Sequence, residues 1–71
     1  MTRYANTLAD ELPRQQARCR EILEHAQAIG PAGALLVAML RQSLTRAERA
    51  AAEGDLPAMI AALSDLRSYS D

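Results

Sequence analysis

The sequence has no lysine, phenylalanine or tryptophan, and its only cysteine is Cys19. A single thiol excludes a disulfide within the chain, so the 71 residues fold without a covalent cross-link. Each missing large aromatic side chain would bury about 150–250 Å². The two tyrosines lie near the termini, and the core is therefore left to leucine, isoleucine, methionine and alanine. A chain this small with so thin a core is marginally stable alone, and self-association is a standard remedy.

Charge of either sign is in little excess. The formal net charge is −1, with every basic residue an arginine apart from the single histidine. This balance does not favour binding to nucleic acid or to an anionic membrane. The opening segment "MTRYANTLADELP" lacks the apolar region of a secretory signal, and no run approaches the roughly 18 apolar residues of a membrane span. We therefore expect a cytoplasmic protein with a reduced thiol. Arginine without lysine also favours a high-GC bacterial or phage origin.

Two short segments divide the chain into helices. In "IGPAG", Gly30 suits the position after a helix end and Pro31 suits the first turn of the next helix. In "EGDLP", Gly54 ends a helix, Asp55 can cap the next one and Pro57 lies in its first turn. No segment shows the alternation of a strand. These signals predict three helices over about residues 12–29, 32–53 and 56–68.

The predicted fold is all-α, an antiparallel three-helix hairpin or bundle. Pro13 suits the first turn of helix one and would kink a helix that continued through it. We therefore predict a separate N-terminal arm over residues 1–11, whose order the sequence leaves open, and a single helical domain over residues 12–71.

The stretch "GALLVAMLRQ" in helix two is apolar nearly all round. By the 3.6-residue period, Leu36 and Leu40 belong to the core stripe, whereas Leu35 and Met39 lie outside it. Helix two is also longer than helix three can cover. We predict that the Leu35/Met39 flank meets another chain; the alternative is that helix one wraps far enough to cover it.

No catalytic, cofactor or metal site is predicted. Cys19 lies on the apolar stripe of helix one and is expected to be a buried small hydrophobe. The only histidine, His25, points away from that face, so the two residues form neither a nucleophile–base pair nor a zinc site. All three glycines are expected in loops, which leaves no phosphate-binding motif.

Three blocks, "LPRQQARCREIL", "IGPAGALLVAMLRQSL" and "AAEGDLPAMIAALSDLRS", together resemble short uncharacterised proteins of temperate phages and prophages of high-GC proteobacteria. The resemblance spans residues 12–68. It implies an all-helical fold without assigned catalytic residues. It also implies an action through binding to host proteins such as transcription regulators, pilus motors or defence complexes.

We predict a non-catalytic phage or prophage accessory protein that binds and modulates a host protein, working as a homodimer through helix two. The predicted self-association residues are Leu35, Leu36, Met39 and Leu40, and Arg41, Arg46 and Arg49 form a rim that selects the partner. Whether the Leu35/Met39 flank serves self-association or a foreign partner stays open. The alternatives are a small nucleic-acid-binding regulator, which the scattered arginines do not favour, and a virion assembly protein.

Overall fold

The computed structural model describes the backbone of residues 2–69 and the side chains of residues 7–69, so the side chain of Tyr4 lies outside the described part. Helix α1 spans Thr2–Ile29, a 3-10 turn spans Gly30–Gly33, helix α2 spans Ala34–Glu53 and helix α3 spans Leu56–Arg67. No strand occurs among residues 2–69. The all-α prediction is confirmed.

Helix α1 begins ten residues before the predicted start, and it joins the predicted N-terminal arm to helix one. Pro13 lies inside this helix instead of in its first turn. A proline in a helix interior costs about 3 kcal/mol, because it removes one backbone hydrogen bond and crowds the preceding turn. Leu8 and Leu12 are only 3% and 1% exposed, and burying a leucine contributes about 1.5–3 kcal/mol. Burial of these two leucines, both on the N-terminal side of Pro13, therefore offsets its cost, and α1 continues through the segment predicted as an arm.

The first turn reverses the chain. Gly30 has φ of +86°, a left-handed conformation that suits glycine, and Pro31 opens the 3-10 turn. An ion pair of 3.0 Å between Arg20 and Glu48 joins α1 to α2. In one straight helix these residues would lie about 42 Å apart. Helices α1 and α2 therefore form an antiparallel hairpin, with Gly30–Gly33 at its tip.

The second turn has the features that its sequence predicts. Gly54 has φ of +66° and its backbone N–H bonds back to α2, which ends that helix. The carboxylate of Asp55 accepts a hydrogen bond of 3.2 Å from the backbone N–H of Ala58 and caps α3. Helix α3 then returns along the hairpin and packs against both α1 and α2.

The core lies where the three helices meet, away from the tip. Cys19 is fully buried, as predicted, and its Sγ donates to the carbonyl oxygen of Leu66 at 3.4 Å. Half-buried Leu23, Met59, Leu63 and Tyr69 pack around the buried cluster. The buried cluster itself comprises Leu12, Cys19, Ile22, Leu40, Leu44, Ala47, Ala62 and Leu66.

By length and composition alone, the helical stretch Thr7–Glu53 contains a window apolar enough to cross a membrane. That stretch includes the Gly30–Gly33 turn, where the chain reverses. The apolar side chains on its two arms, such as Ile22 and Leu40, pack against each other in the core. The share of that window buried within the described part of the chain is 17%.

Candidate interaction surface

Four large apolar side chains stand exposed at the tip of the α1–α2 hairpin. The exposed fractions are 74% for Leu35, 63% for Ile29, 47% for Met39 and 36% for Leu36. We call these four residues the tip patch. Scattered single apolar residues are normal on a protein surface, but a contiguous group marks a site of interaction. Leu56 and Ile60 are also exposed, but they lie on α3, away from the tip.

Two residues of the tip patch, Leu35 and Met39, lie on one side of α2. Toward the C-terminal end of α2, the same side of the helix faces α3. Leu35, Met39 and Arg46 recur at spacings of four and seven residues, which places them on one side of a helix. Arg46 lines a groove of about 300 Å³ between α2 and α3. Leu35 and Met39 therefore continue, toward the tip, the surface on which α3 packs.

The α1 part of the tip patch obeys the same rule. Glu11, Arg18 and Ile29 recur at spacings of seven and eleven residues and share one side of α1. Arg67 of α3 donates to Glu11 at 3.3 Å, and Arg18 donates to the carbonyl oxygen of Leu66 at 2.9 Å. This side of α1 faces α3, so Ile29 is exposed because α3 does not extend to the tip.

The limit of α3 coverage is marked by a hydrogen bond. Beyond the end of α3, the hydroxyl groups of Tyr69 and Ser43 lie 2.8 Å apart. From Ser43 to the start of α2 at Ala34, no helix lies over the α1–α2 face in the described part of the chain. We call this uncovered half of the face the recess. By the helical rise it is about 14 Å long.

Three of the four residues predicted for self-association are exposed and lie in the first two turns of α2: Leu35, Leu36 and Met39. The fourth, Leu40, is 0% exposed and belongs to the buried cluster. Its place on the core stripe of α2 turns it toward α1, so it supports the tip from within and is not available to a partner. Ile29, which is 63% exposed at the end of α1, belongs to the same surface and was not among the residues predicted for it.

The three predicted rim arginines line one shallow depression on α2, but they lie at different angles from Met39 around the helix. Arg46 and Arg49 line the α2–α3 groove together with Glu53 and Asp65. Arg41 lies two residues after Met39, about 200° away around the helix. It therefore cannot lie beside Met39 on a flat partner surface, and the rim reduces to Arg46 and Arg49. None of these arginines forms an ion pair in the part of the chain that the structure describes.

Asp65 adds an unusual feature to the same groove. Its Oδ2 atom is buried and has no hydrogen-bond partner among the described residues. A buried polar atom without a partner costs free energy, because it has lost its bonds to water. The walls of the groove are otherwise mostly alanine: Ala50, Ala58, Ala61 and Ala62. Asp65 is thus a poorly satisfied residue in an otherwise small-residue helix contact.

The chemistry-bearing side chains are dispersed. Cys19 is buried, whereas His25 is exposed on α1. Among the described residues, no group of three or more His, Cys, Asp or Glu side chains could hold a metal ion. The hydrogen bonds from Gln15 and Arg67 lower the pKa of Glu11, with the charge of Arg14 acting in the same direction. This carboxylate links α1 to α3 and has a structural role.

Comparison with models of known protein families, with curated proteins and with solved structures finds no match to this chain. The tip patch and the charges beside it are therefore the features of this chain that bear on its function.

Proposed function

We propose that this chain is a small non-catalytic accessory protein of a phage or prophage, which binds and modulates a host protein in the cytoplasm and acts as a homodimer. The observation that supports this proposal is the tip patch. Its leucine, isoleucine and methionine side chains are grouped at one end of a short chain and are exposed to water. Burying this apolar surface against a partner would lower the free energy.

The surroundings of Cys19 and His25 support a non-catalytic role. Cys19, the one strong nucleophile, is 0% exposed and donates to a carbonyl oxygen. A catalytic thiol needs an open, electropositive environment and a base. The only histidine is on the surface of α1, where it cannot reach that thiol.

The tip patch and the two rim arginines suit different parts of an interface. Protein interfaces place apolar anchors at the centre and polar groups, often arginine, around them. Met39 and Leu35 are the central anchors, and Arg46 lies next along the same side of α2. Arg46 and Arg49 form no ion pair among the described residues, so their guanidinium groups are available to carboxylates of a host protein.

The test is affinity capture from a high-GC proteobacterial lysate with quantitative mass spectrometry. Three baits are compared: wild type, Met39→Asp, and Ala17→Asp as the matched control. Ala17 is exposed in the middle of α1, outside the tip patch, so it carries the same new charge without touching the proposed surface. A host protein retained by wild type and Ala17→Asp, and lost by Met39→Asp, supports the proposal.

Identical captured proteins for all three baits would contradict the assignment of this surface. A soluble dimer that captures nothing would favour virion assembly, and co-sedimentation with virus particles would then identify that role. Circular dichroism of Met39→Asp should match wild type, because Met39 is about half exposed and contributes little to the core.

A nucleic-acid-binding regulator is the second candidate, favoured by one feature of α2. Arg41, Arg46 and Arg49 line one shallow depression with Gln42 and Thr45. Electrostatic binding to phosphates predicts DNA affinity that falls steeply between about 50 and 200 mM salt. Fluorescence anisotropy with a labelled duplex, using wild type and Arg46→Gln/Arg49→Gln, tests this. No binding at about 50 mM salt would remove the candidate.

A further inference from the structure

The recess has a shape that restricts what can fill it. Helix α3 covers the face of the hairpin as far as Ser43, and the half nearer the tip lies one helix layer lower. Packed helix axes lie about 8–10 Å apart, so the step down from α3 to the recess is about that deep. The floor of the step carries the four exposed side chains of the tip patch.

We propose that a second copy of this chain fills the recess, with the two hairpins antiparallel and overlapping only at their tips. This inference rests on the proposed function, in which the tip patch binds protein; a host protein would compete with the second copy for the same patch. When the two tips point in opposite directions, each tip lies in the other copy's recess and meets the end of the other α3. When the tips point the same way, the two α3 helices collide and hold the patches apart.

The recess length fixes the register of this contact. Along α2 the recess extends from Ala34 to Ser43, so its centre lies at Ala38 and Met39. An antiparallel two-fold contact centred there places Met39 beside Met39 of the second copy. It also places Leu35 opposite Gln42 of the second copy.

Charge favours the same arrangement. Helix α2 has no charged residue between Ala34 and Leu40, so no like charges meet at the centre. The antiparallel register brings the Gly30–Gly33 turn of each copy to the end of α3 in the other, and Arg46 is the nearest basic residue on that side of α2. The last turn of α1 ends there with no basic side chain of its own. A guanidinium group is stabilised at the carbonyl end of a helix. In the parallel arrangement, Arg46 would face Arg46 of the second copy.

The size of the recess sets the strength of the dimer. The recess is about 14 Å long, and the molecule is 18 Å by 16 Å across. Two such faces bury on the order of 800 Å² in total, below the 1,200–2,000 Å² of a standard interface. We therefore expect weak association, with monomer and dimer exchanging at concentrations on the order of 100 µM.

Cysteine cross-linking with a short bismaleimide tests the arrangement. The variants are Met39→Cys, Leu35→Cys and Gln42→Cys, all at exposed positions, and wild type is the control for buried Cys19. We expect Met39→Cys to form a covalent dimer by itself. Leu35→Cys and Gln42→Cys should cross-link at least fivefold better when mixed than either does alone, and wild type should not cross-link.

Two results would overturn the inference. One is that Leu35→Cys and Gln42→Cys each cross-link efficiently with themselves and no better when mixed. This result would indicate that the two tips point the same way. The other is a wild-type chain that sediments as a monomer up to about 1 mM. If the wild-type chain is a monomer, and it captures a host protein that the Met39→Asp variant does not, the arrangement is wrong but the proposed function is supported. An antiparallel dimer that retains no host protein confirms the arrangement and counts against host binding.

Discussion

The backbone carbonyl of Ala26 occupies the space where a Cβ atom on residue 33 would lie, so that α1 and α2 approach closely only because Gly33 has no side chain. Gly33 is buried and lies at the last position of the 3-10 turn. The 3-10 turn and α1 are therefore in direct backbone contact near the tip patch, and the missing side chain of Gly33 permits that contact.

We predict that Gly33→Ala destabilises the chain by about 1–3 kcal/mol, because the new methyl group must displace backbone atoms of Ala26. Urea unfolding followed by circular dichroism measures the change. Gly30→Ala is the comparison: its Cβ meets nothing within 4 Å, and only its positive φ carries a cost. A Gly33→Ala variant as stable as wild type would show that the helices separate there without penalty.

The bond between Ser43 and Tyr69 should contribute measurably to stability. A hydrogen bond within a folded protein contributes about 0.5–1.5 kcal/mol net. We predict an interaction free energy of that size from a double-mutant cycle of Ser43→Ala, Tyr69→Phe and the double variant. Additive effects of the two changes would show that the 2.8 Å contact carries no coupling.

Replacing Asp65 should stabilise the protein. Asp65→Ala removes a buried carboxylate oxygen without a partner, and it also removes a negative charge from the last turn of α3. We predict an increase of about 1 kcal/mol in the free energy of unfolding, part of it from the better helix propensity of alanine. Asp65→Asn, which keeps the shape, isolates the charge. A loss of stability in both variants would mean that Arg46 or Arg49 pairs with this carboxylate in solution.

The Glu11 carboxylate should make stability depend on pH at the acid end. Its pKa in the folded chain is lowered below 4.5, first by the hydrogen bond from Gln15 and then by Arg67. A carboxyl group of this kind contributes stability fully above its unfolded pKa and loses it as the pH falls through the folded pKa. Glu11→Gln should therefore lower Tm at pH 7, and its difference from wild type should become smaller as the pH falls to about 2.5.

Thermal unfolding by circular dichroism at both pH values tests this prediction, with Glu24→Gln as the control. Glu24 is exposed on α1 and forms no ion pair in the described part of the chain. An equal Tm difference between Glu11→Gln and wild type at the two pH values would contradict the pKa assignment.

The turns were predictable because their residues act locally. Gly30, Gly54 and Asp55 each fix a backbone conformation or a cap through contacts within a few residues, and the helix ends fall where these residues predict. The start of α1 was not predictable on the same basis. Pro13 is a local signal against a helix, and the burial of Leu8 and Leu12 that outweighs it depends on the assembled fold.

The exposed residues of the candidate surface were predictable only where the periodicity of a single helix determines which side chains are exposed. Periodicity alone separates Leu35 and Met39 from the stripe of α2 that contains Leu40. It cannot show that Ile29 is exposed, because that depends on where α3 ends relative to α1. Of the residues predicted for the interface, Leu40 is buried in the core and Arg41 lies about 200° around α2 from Met39.

Because α3 covers only the part of the hairpin away from the tip, the chain should not open uniformly. Amide hydrogens of α2 near Leu44 and Ala47 lie within the three-helix core, and we expect them to exchange with solvent only on global unfolding. Those near Leu36 are held by two helices alone and should exchange faster, through local opening. The end of the molecule that carries the tip patch is thus also the end that can change shape at little cost to the rest.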